Sequence, residues 1–161
     1  MKKIFFAFFV CVIFYKPGFA QTENNQSKIS IIPQPVSVNL QEGNFSLKPE
    51  TANISADKSA SDVASFLSAL LHENYGFNGK NNGEKNGSSK ASFSLAINKS
   101  ENKSIGGEGY TLKVTPQTVL LSANTSKGLF YGMQTLTQLL PAKSNGYAQH
   151  PVKFQQCLVL D

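Results

Sequence analysis

Apolar residues recur along this chain with two different periods, and each period assigns an element. "ASFSLAIN" alternates strictly, with Phe93, Leu95 and Ile97 on one side and Ser92, Ser94 and Ala96 on the other, as in a half-buried strand. After the glycine-rich turn "SIGGEG", Tyr110, Leu112 and Val114 repeat the alternation, "TPQT" turns the chain, and "VLLSA" returns as the antiparallel neighbour. Upstream, Pro33 and Pro35 exclude a central strand. Val36 to Leu40 and Phe45 to Leu47 then read as a hairpin joined through Gly43 and Asn44, and "TANISA" reads as a third short strand.

The helical period appears twice. Val63, Phe66, Leu67, Leu70 and Leu71 follow the spacing of one buried stripe, with Ser59 or Ser61 as caps and Gly76 to close. In "SANTSKGLFYGMQTLTQLLP", Leu129, Met133, Leu136 and Leu140 form a stripe with Phe130 beside it. Asn124 to Ser126 supply capping side chains, and Pro141 is the stop. Gly128 and Gly132 share a face of this helix, where each costs about 1 kcal/mol against alanine. A close backbone approach to the sheet is the compensation expected, with Tyr131, Gln134 and Gln138 at the margins. Between the helices, "NGKNNGEKNGSSK" holds only polar and glycine residues and is expected as an exposed loop.

The first twenty residues form a separate unit. Lys2 and Lys3 precede an apolar run from Ile4 to Tyr15, followed by Pro17, Gly18 and Ala20. This is the layout of a secretory signal peptide cleaved before Gln21, and the run is shorter than the roughly 20 residues of a membrane span. Lipid attachment at Cys11, for which Val10 is a poor preceding residue, and an uncleaved anchor are the alternatives. Residues 21–30 follow as a polar leader. Export changes the charge picture: the formal +5 includes Lys2, Lys3 and Lys16, and without them 12 lysines face 10 acidic residues. All the basic residues are scattered lysines, so no basic stripe points to nucleic acid. Cys157 would be left alone, which excludes an internal disulfide and leaves stability to core packing.

Two stretches carry a family resemblance. "IIPQPVSVNLQEGNFSL" and "EGYTLKVTPQTVLLSANTSKGLFYGMQTLTQLLP" resemble the N-terminal, non-catalytic domain of the β-N-acetylhexosaminidases of glycoside hydrolase family 20. The resemblance implies an α+β fold over residues 31–148, a largely antiparallel β-sheet with two main helices packed on one face as a two-layer sandwich. It also implies a catalytic (β/α)₈ barrel as the normal partner in the same chain. Hydrolysis in this family is substrate-assisted: an acid protonates the leaving oxygen while the 2-acetamido group attacks, oriented by an aspartate, and both carboxylates lie in the barrel. "HPVKFQQCLVLD" is similar to the opening of the first barrel strand, so residues 149–161 are expected to begin a barrel that the chain does not complete. Gln156 stands where the resemblance implies a sugar-gripping arginine, Cys157 where it implies glycine, and Leu160 and Asp161 fit. A neutral glutamine does not reproduce a guanidinium contact.

The expectation is an exported, periplasmic or extracellular bacterial accessory domain, truncated before the barrel and inactive alone. The chain then holds no catalytic, cofactor-binding or metal-binding residues of its own. A stand-alone sugar-binding or adaptor module and a structural partner of a separate barrel are the rival readings. His72 and His150 lack metal-ligand spacing and read as surface residues. Asp57 and Asp62 read as turn and helix-start residues. Sequons at Asn25, Asn44, Asn53, Asn86, Asn98, Asn102 and Asn124 follow from a composition rich in Asn and Ser. Tyr110, Tyr131 and Tyr147 could stack on sugar rings, but tyrosines within strands and helices more often belong to the core.

Overall fold

The computed structural model describes residues 29–48, 52–78, 81–82, 92–141 and 152–161. Strands β1 (Ser37–Leu47), β2 (Ile54–Ala56), β3 (Asn81–Asn82), β4 (Phe93–Ile97), β5 (Tyr110–Val114), β6 (Val119–Ala123) and β7 (Val152–Leu160) form one sheet in the order β1-β7-β5-β6-β4-β2-β3. Helices α1 (Ser61–Tyr75) and α2 (Ser126–Leu139) make the second layer. The antiparallel ladders β1–β7, β7–β5 and β5–β6 carry most of the paired residues, so the α+β expectation holds. The strands β6, β4, β2 and β3 pair in parallel. Parallel neighbours need a crossover, and α1 supplies the one between β2 and β3.

Alternation fixes the register. Val159, Leu112, Leu121, Leu95 and Ala56 stand side by side across five strands and are all buried under the helices. A slip of one residue in any of these strands would turn its apolar set to the other face.

The expected hairpin at 36–47 is not formed. Ser37–Leu47 is one continuous strand against β7, with a register irregularity between Leu40 and Asn44. Gly43 lies inside that irregularity at φ 106°, so the residue read as a turn instead supplies a bulge. Beyond it the β1–β7 ribbon outruns β5, which meets β7 only at Leu158 to Leu160. Its far end bends toward the other half of the sheet, where Phe45 meets Phe93 edge-on with centroids 5.6 Å apart. Residues 81–82 of the expected loop pair as the short edge strand β3.

Each helix has a defined start. A 3-10 turn at Lys58–Ala60 precedes α1, and the Asp57 carboxylate accepts from the Ala60 N–H at 2.9 Å and from the Ser59 hydroxyl at 2.8 Å. Asp57 therefore caps the 3-10 turn, while α1 itself starts at Ala60 without a side-chain cap, so neither Ser59 nor Ser61 caps it, and Asp62 sits favourably in its first turn. Gly76 closes α1 in the left-handed conformation, φ 68°. For α2, the Thr125 side chain accepts from the Gly128 N–H. The α1 stripe is rotated from the expected one: Val63, Ala64, Leu67, Leu71 and Tyr75 are buried, while Phe66 is 50% exposed. The α2 stripe is as expected, with Leu129, Met133 and Leu136 fully buried.

Gly128 and Gly132 are the contact points between α2 and the sheet. A Cβ on Gly128 would lie 2.5 Å from the Gly109 carbonyl oxygen and 2.9 Å from that of Glu108. A Cβ on Gly132 would lie 2.8 Å from the Tyr110 ring and closer still to Leu121 Cδ1. At Gly128 the obstacle is backbone and at Gly132 it is side chains that would have to shift, so a side chain at either position displaces its neighbours, which accounts for two glycines in one helix.

Candidate functional site

The close approach of α2 to β5 shapes a cavity of about 500 Å³ beside it. One wall is α2, which contributes Tyr131, Gln134, Thr135 and Gln138. The opposite wall is the loop before β5, with Ile105, Glu108 and Gly109, and Asp161 closes the end of β7. The rim is the segment at Ile32 and Pro33, which is clasped to the helix. Ile32 donates its N–H to Gln138 Oε1 and accepts at its carbonyl from Gln138 Nε2, both at 2.9 Å. Val36 N–H reaches Asp161 Oδ1 at 3.4 Å.

Backbone contacts hold the floor. Tyr110 and Asp161 exchange N–H···O bonds of 3.0 and 3.2 Å. A Cβ on Gly109 would fall on the carbonyl oxygens of Ile105 and Asp161, so this junction accepts only glycine. The loop from 98 to 109 is organised by Asn124. Its Oδ1 accepts from Asn98 Nδ2 at 2.9 Å and from Asn102 N–H at 2.8 Å, while its Nδ2 donates to the carbonyls of Asn102 and Gly106.

The chemistry of the lining is that of a polar, partly aromatic recess. Glu108 is ion-paired with Lys127, whose ammonium is held charged above its ordinary range by the hydrogen bond and charge of that carboxylate. Asp161 is engaged by Val36 N–H. The Tyr110 hydroxyl meets Thr135 Oγ1 at 2.6 Å inside the core. Burial pushes its pKa up; the Thr135 bond opposes this and the Asp161 charge adds to it. Tyr131 is 40% exposed and forms a ring cluster with Phe130, which also meets Phe66 edge-on at 6.0 Å. An aromatic surface therefore runs from Phe66 over Phe130 and Tyr131 to the cavity, and Ile32, 77% exposed, extends it across the rim.

The residues singled out in the sequence divide clearly. Tyr131, Gln134, Gln138 and Asp161 come together at the cavity. Tyr110 belongs to the core, and His72 donates from Nδ1 to the Phe77 carbonyl at 2.9 Å beside the end of α1. His150 and Tyr147 lie outside the described residues, as do the side chains of Gln156 and Cys157, whose backbone belongs to β7. Ile32 and Glu108 were not legible as site residues, because their roles arise from contacts with α2. Among the described residues, no cluster of three or more His, Cys, Asp or Glu could hold a metal ion, and no helix is long and apolar enough to cross a membrane.

The comparisons with known proteins agree with this architecture. The solved Streptomyces plicatus N-acetyl-β-hexosaminidase, in complex with Thio-NAglucal, is 26% identical over 82% of this chain and 26% of its own, with a TM-score of 0.69. The β-N-acetylhexosaminidase of Streptomyces coelicolor A3(2) is 25% identical over 81% of this chain and 26% of its own, with a TM-score of 0.68. Flavobacterium johnsoniae chitobiase, at 23% identity, 80% and 20% coverage and a TM-score of 0.59, shares the fold. This chain thus spans about a quarter of the length of the Streptomyces enzymes. The sequence profile described as "Glycosyl hydrolase family 20, domain 2" matches residues 28–161, and the chain belongs to that family through this domain.

Proposed function

We propose that this chain serves as the accessory domain of an exported β-N-acetylhexosaminidase, seated against a catalytic barrel and without hydrolytic activity of its own. The observation that supports this most directly is the aromatic surface of Phe66, Phe130 and Tyr131 on the outer side of the helical layer. Core residues have no reason to stand there. A neighbouring domain that covers the rings would remove their apolar surface from water, at about 25 cal/mol per Å².

The substrate class, terminal N-acetylhexosamine residues of glycans or chitooligosaccharides, comes from the family and belongs to the barrel. Residues 1–20 support export to the periplasm or beyond, and intact mass of the exported protein tests it: a chain starting at Gln21 is expected. A barrel of this family, produced separately and mixed with the chain, should co-elute with it in size-exclusion chromatography. Phe130→Ser with Tyr131→Ser should abolish that complex. The purified chain alone should release nothing from an aryl N-acetyl-β-glucosaminide. Turnover that follows the protein through purification, or a complex indifferent to both substitutions, would overturn the reading.

One observation favours a second reading. Tyr131 presents part of its ring at a recess that also holds the Gln134 side chain and two carboxylates, a combination suited to sugar hydroxyls. Saturable chemical-shift changes at Tyr131 on titration with chitooligosaccharides would support a stand-alone binding module.

A further inference from the structure

The recess beside α2 is chemically unequal at its two ends. At one end the Glu108 carboxylate is paired with Lys127, whose ammonium also stands 5.9 Å from the centroid of the Tyr131 ring. At the other end the Asp161 carboxylate receives, among the described residues, one long hydrogen bond of 3.4 Å from the Val36 N–H. No lysine, arginine or histidine belongs to the lining, so one carboxylate of the recess is left without a cation. Between the ends, Gln134 brings a side-chain amide that has no hydrogen-bond partner among the described residues, and Tyr131 and Ile32 supply apolar surface. The volume, about 500 Å³, falls within the range of about 300–1,000 Å³ usual for small-ligand sites.

We propose, resting on the second reading above that the recess takes sugar, that its ligand class is a cationic hexosamine: an oligosaccharide of glucosamine with free amines, bound with an ammonium at Asp161 and hydroxyls at Gln134. A neutral, N-acetylated sugar offers Asp161 only an amide N–H or a hydroxyl. An ammonium in the same place adds its charge, and a charge-assisted hydrogen bond is roughly twice as strong as a neutral one. Covering the carboxylate with a neutral ring also removes its hydration without returning a counter-charge. Lys127 sets the orientation, because its ammonium repels a second cation from the Glu108 end. General attraction does not explain such binding. The chain has a formal charge of +5, and lysines still outnumber acidic residues 12 to 10 without the first twenty residues, so the molecule as a whole repels a polycation.

The full chain, labelled with ¹⁵N, is titrated at about pH 6, where amines are protonated and aspartate is ionised. The probes are the β-1,4-linked glucosamine trimer and, separately, its N-acetylated counterpart. The glucosamine trimer should bind roughly tenfold tighter or more, with saturable shifts at Tyr131, at the Gln134 side-chain amide and at Asp161. Asp161→Asn keeps the shape and an oxygen for the Val36 N–H, and should bring the two affinities within about twofold of one another. A second measurement needs no variant: at about 1 M salt, where the Debye length is about 3 Å, the preference of the unsubstituted chain should shrink. Equal or tighter binding of the N-acetylated trimer overturns the proposal and leaves the sugar reading standing, whereas no shift at these residues with either trimer removes both. A preference that survives both Asp161→Asn and high salt, or shifts centred on Asp57 and Asp62 instead, also overturns it. So does an equal response to the amide of free arginine, which would show that the recess takes a basic side chain of a protein partner.

Discussion

Replacing Gly128 by alanine should destabilise the domain even though alanine is the better helix former. The added Cβ would stand 2.5 and 2.9 Å from two carbonyl oxygens, those of Gly109 and Glu108. Both are backbone atoms, and Gly109 is itself held against Ile105 and Asp161, so neither oxygen can swing aside as a side chain would. The helix must lift from the sheet at its first turn, where Thr125 caps it. Overpacking of this kind typically costs about 1–3 kcal/mol, and an obstacle of backbone places Gly128→Ala at the upper end. Helix propensity returns up to about 1 kcal/mol, which leaves a net loss of about 2 kcal/mol. Gly132→Ala meets a methyl group of Leu121, which can rotate, and the Tyr110 ring, which Thr135 restrains. Its net loss should be smaller, about 1 kcal/mol or less.

Gly107 is the control, because nothing lies within 4 Å of a Cβ built there. Gly107→Ala should be neutral or stabilise by about 0.4–1 kcal/mol through the unfolded chain. Urea melts of the three variants read the order directly, and in thermal melts Gly128→Ala should lose roughly 4–8 °C, given about 2–4 °C per kcal/mol for a domain of this size. If Gly128→Ala melts with Gly107→Ala, or above the parent, α2 does not rest on the β5 backbone and the account of the paired glycines is wrong.

Tyr110→Phe alone should cost about 1–3 kcal/mol, because it leaves the buried Thr135 hydroxyl without its partner. The double variant with Thr135→Val should recover much of that loss, and additive losses in the cycle would show that the pair is not coupled. Tyr75 and Tyr110 both have pKa values raised by burial, so their contribution to stability is complete below the ordinary tyrosine value of about 10 and falls as pH rises toward the higher folded values. Denaturant midpoints should decline above about pH 10, and less steeply in the Tyr110→Phe, Thr135→Val variant; a flat profile to pH 11 would refute this. Asn124→Ala removes four hydrogen bonds from the loop before β5 and should accelerate amide exchange at Asn102, while core amides of α2 keep their protection.

How much of this was legible in the sequence depended on how local the deciding contacts are. The helix α2 was legible almost completely, since its stripe, its cap at Thr125 and its stop at Pro141 all lie within one short stretch. The glycine pair announced a close contact but not its target, which is a pair of carbonyls about twenty residues earlier. β1 was misread because a glycine-asparagine pair between two alternating runs is a hairpin signal, whereas here the partner strand comes from the far end of the sequence and turns the same glycine into a bulge. The α1 stripe was shifted because Ala64, small and easily overlooked, packs inward while the larger Phe66 faces out. The cavity rim was illegible on principle: Ile32 and Gln138 are 106 positions apart, and neither carries a signal for the other.

The residues that identify the family here therefore have a physical meaning distinct from catalysis. Gly109, Gly128 and Gly132 are positions where backbone or ring atoms occupy the space of a side chain, and Tyr110 is the ring against which α2 is laid. Together they fix how the helical layer sits on the sheet. That placement sets the exposure of Phe66, Phe130 and Tyr131 on the outer side of the helices and opens the recess between α2 and the loop before β5. A shift of α2 by even one ångström would alter both surfaces without touching a residue on either. The motif acts on function through position, and for that reason the variants that test it are read first in stability and only then in binding to a barrel.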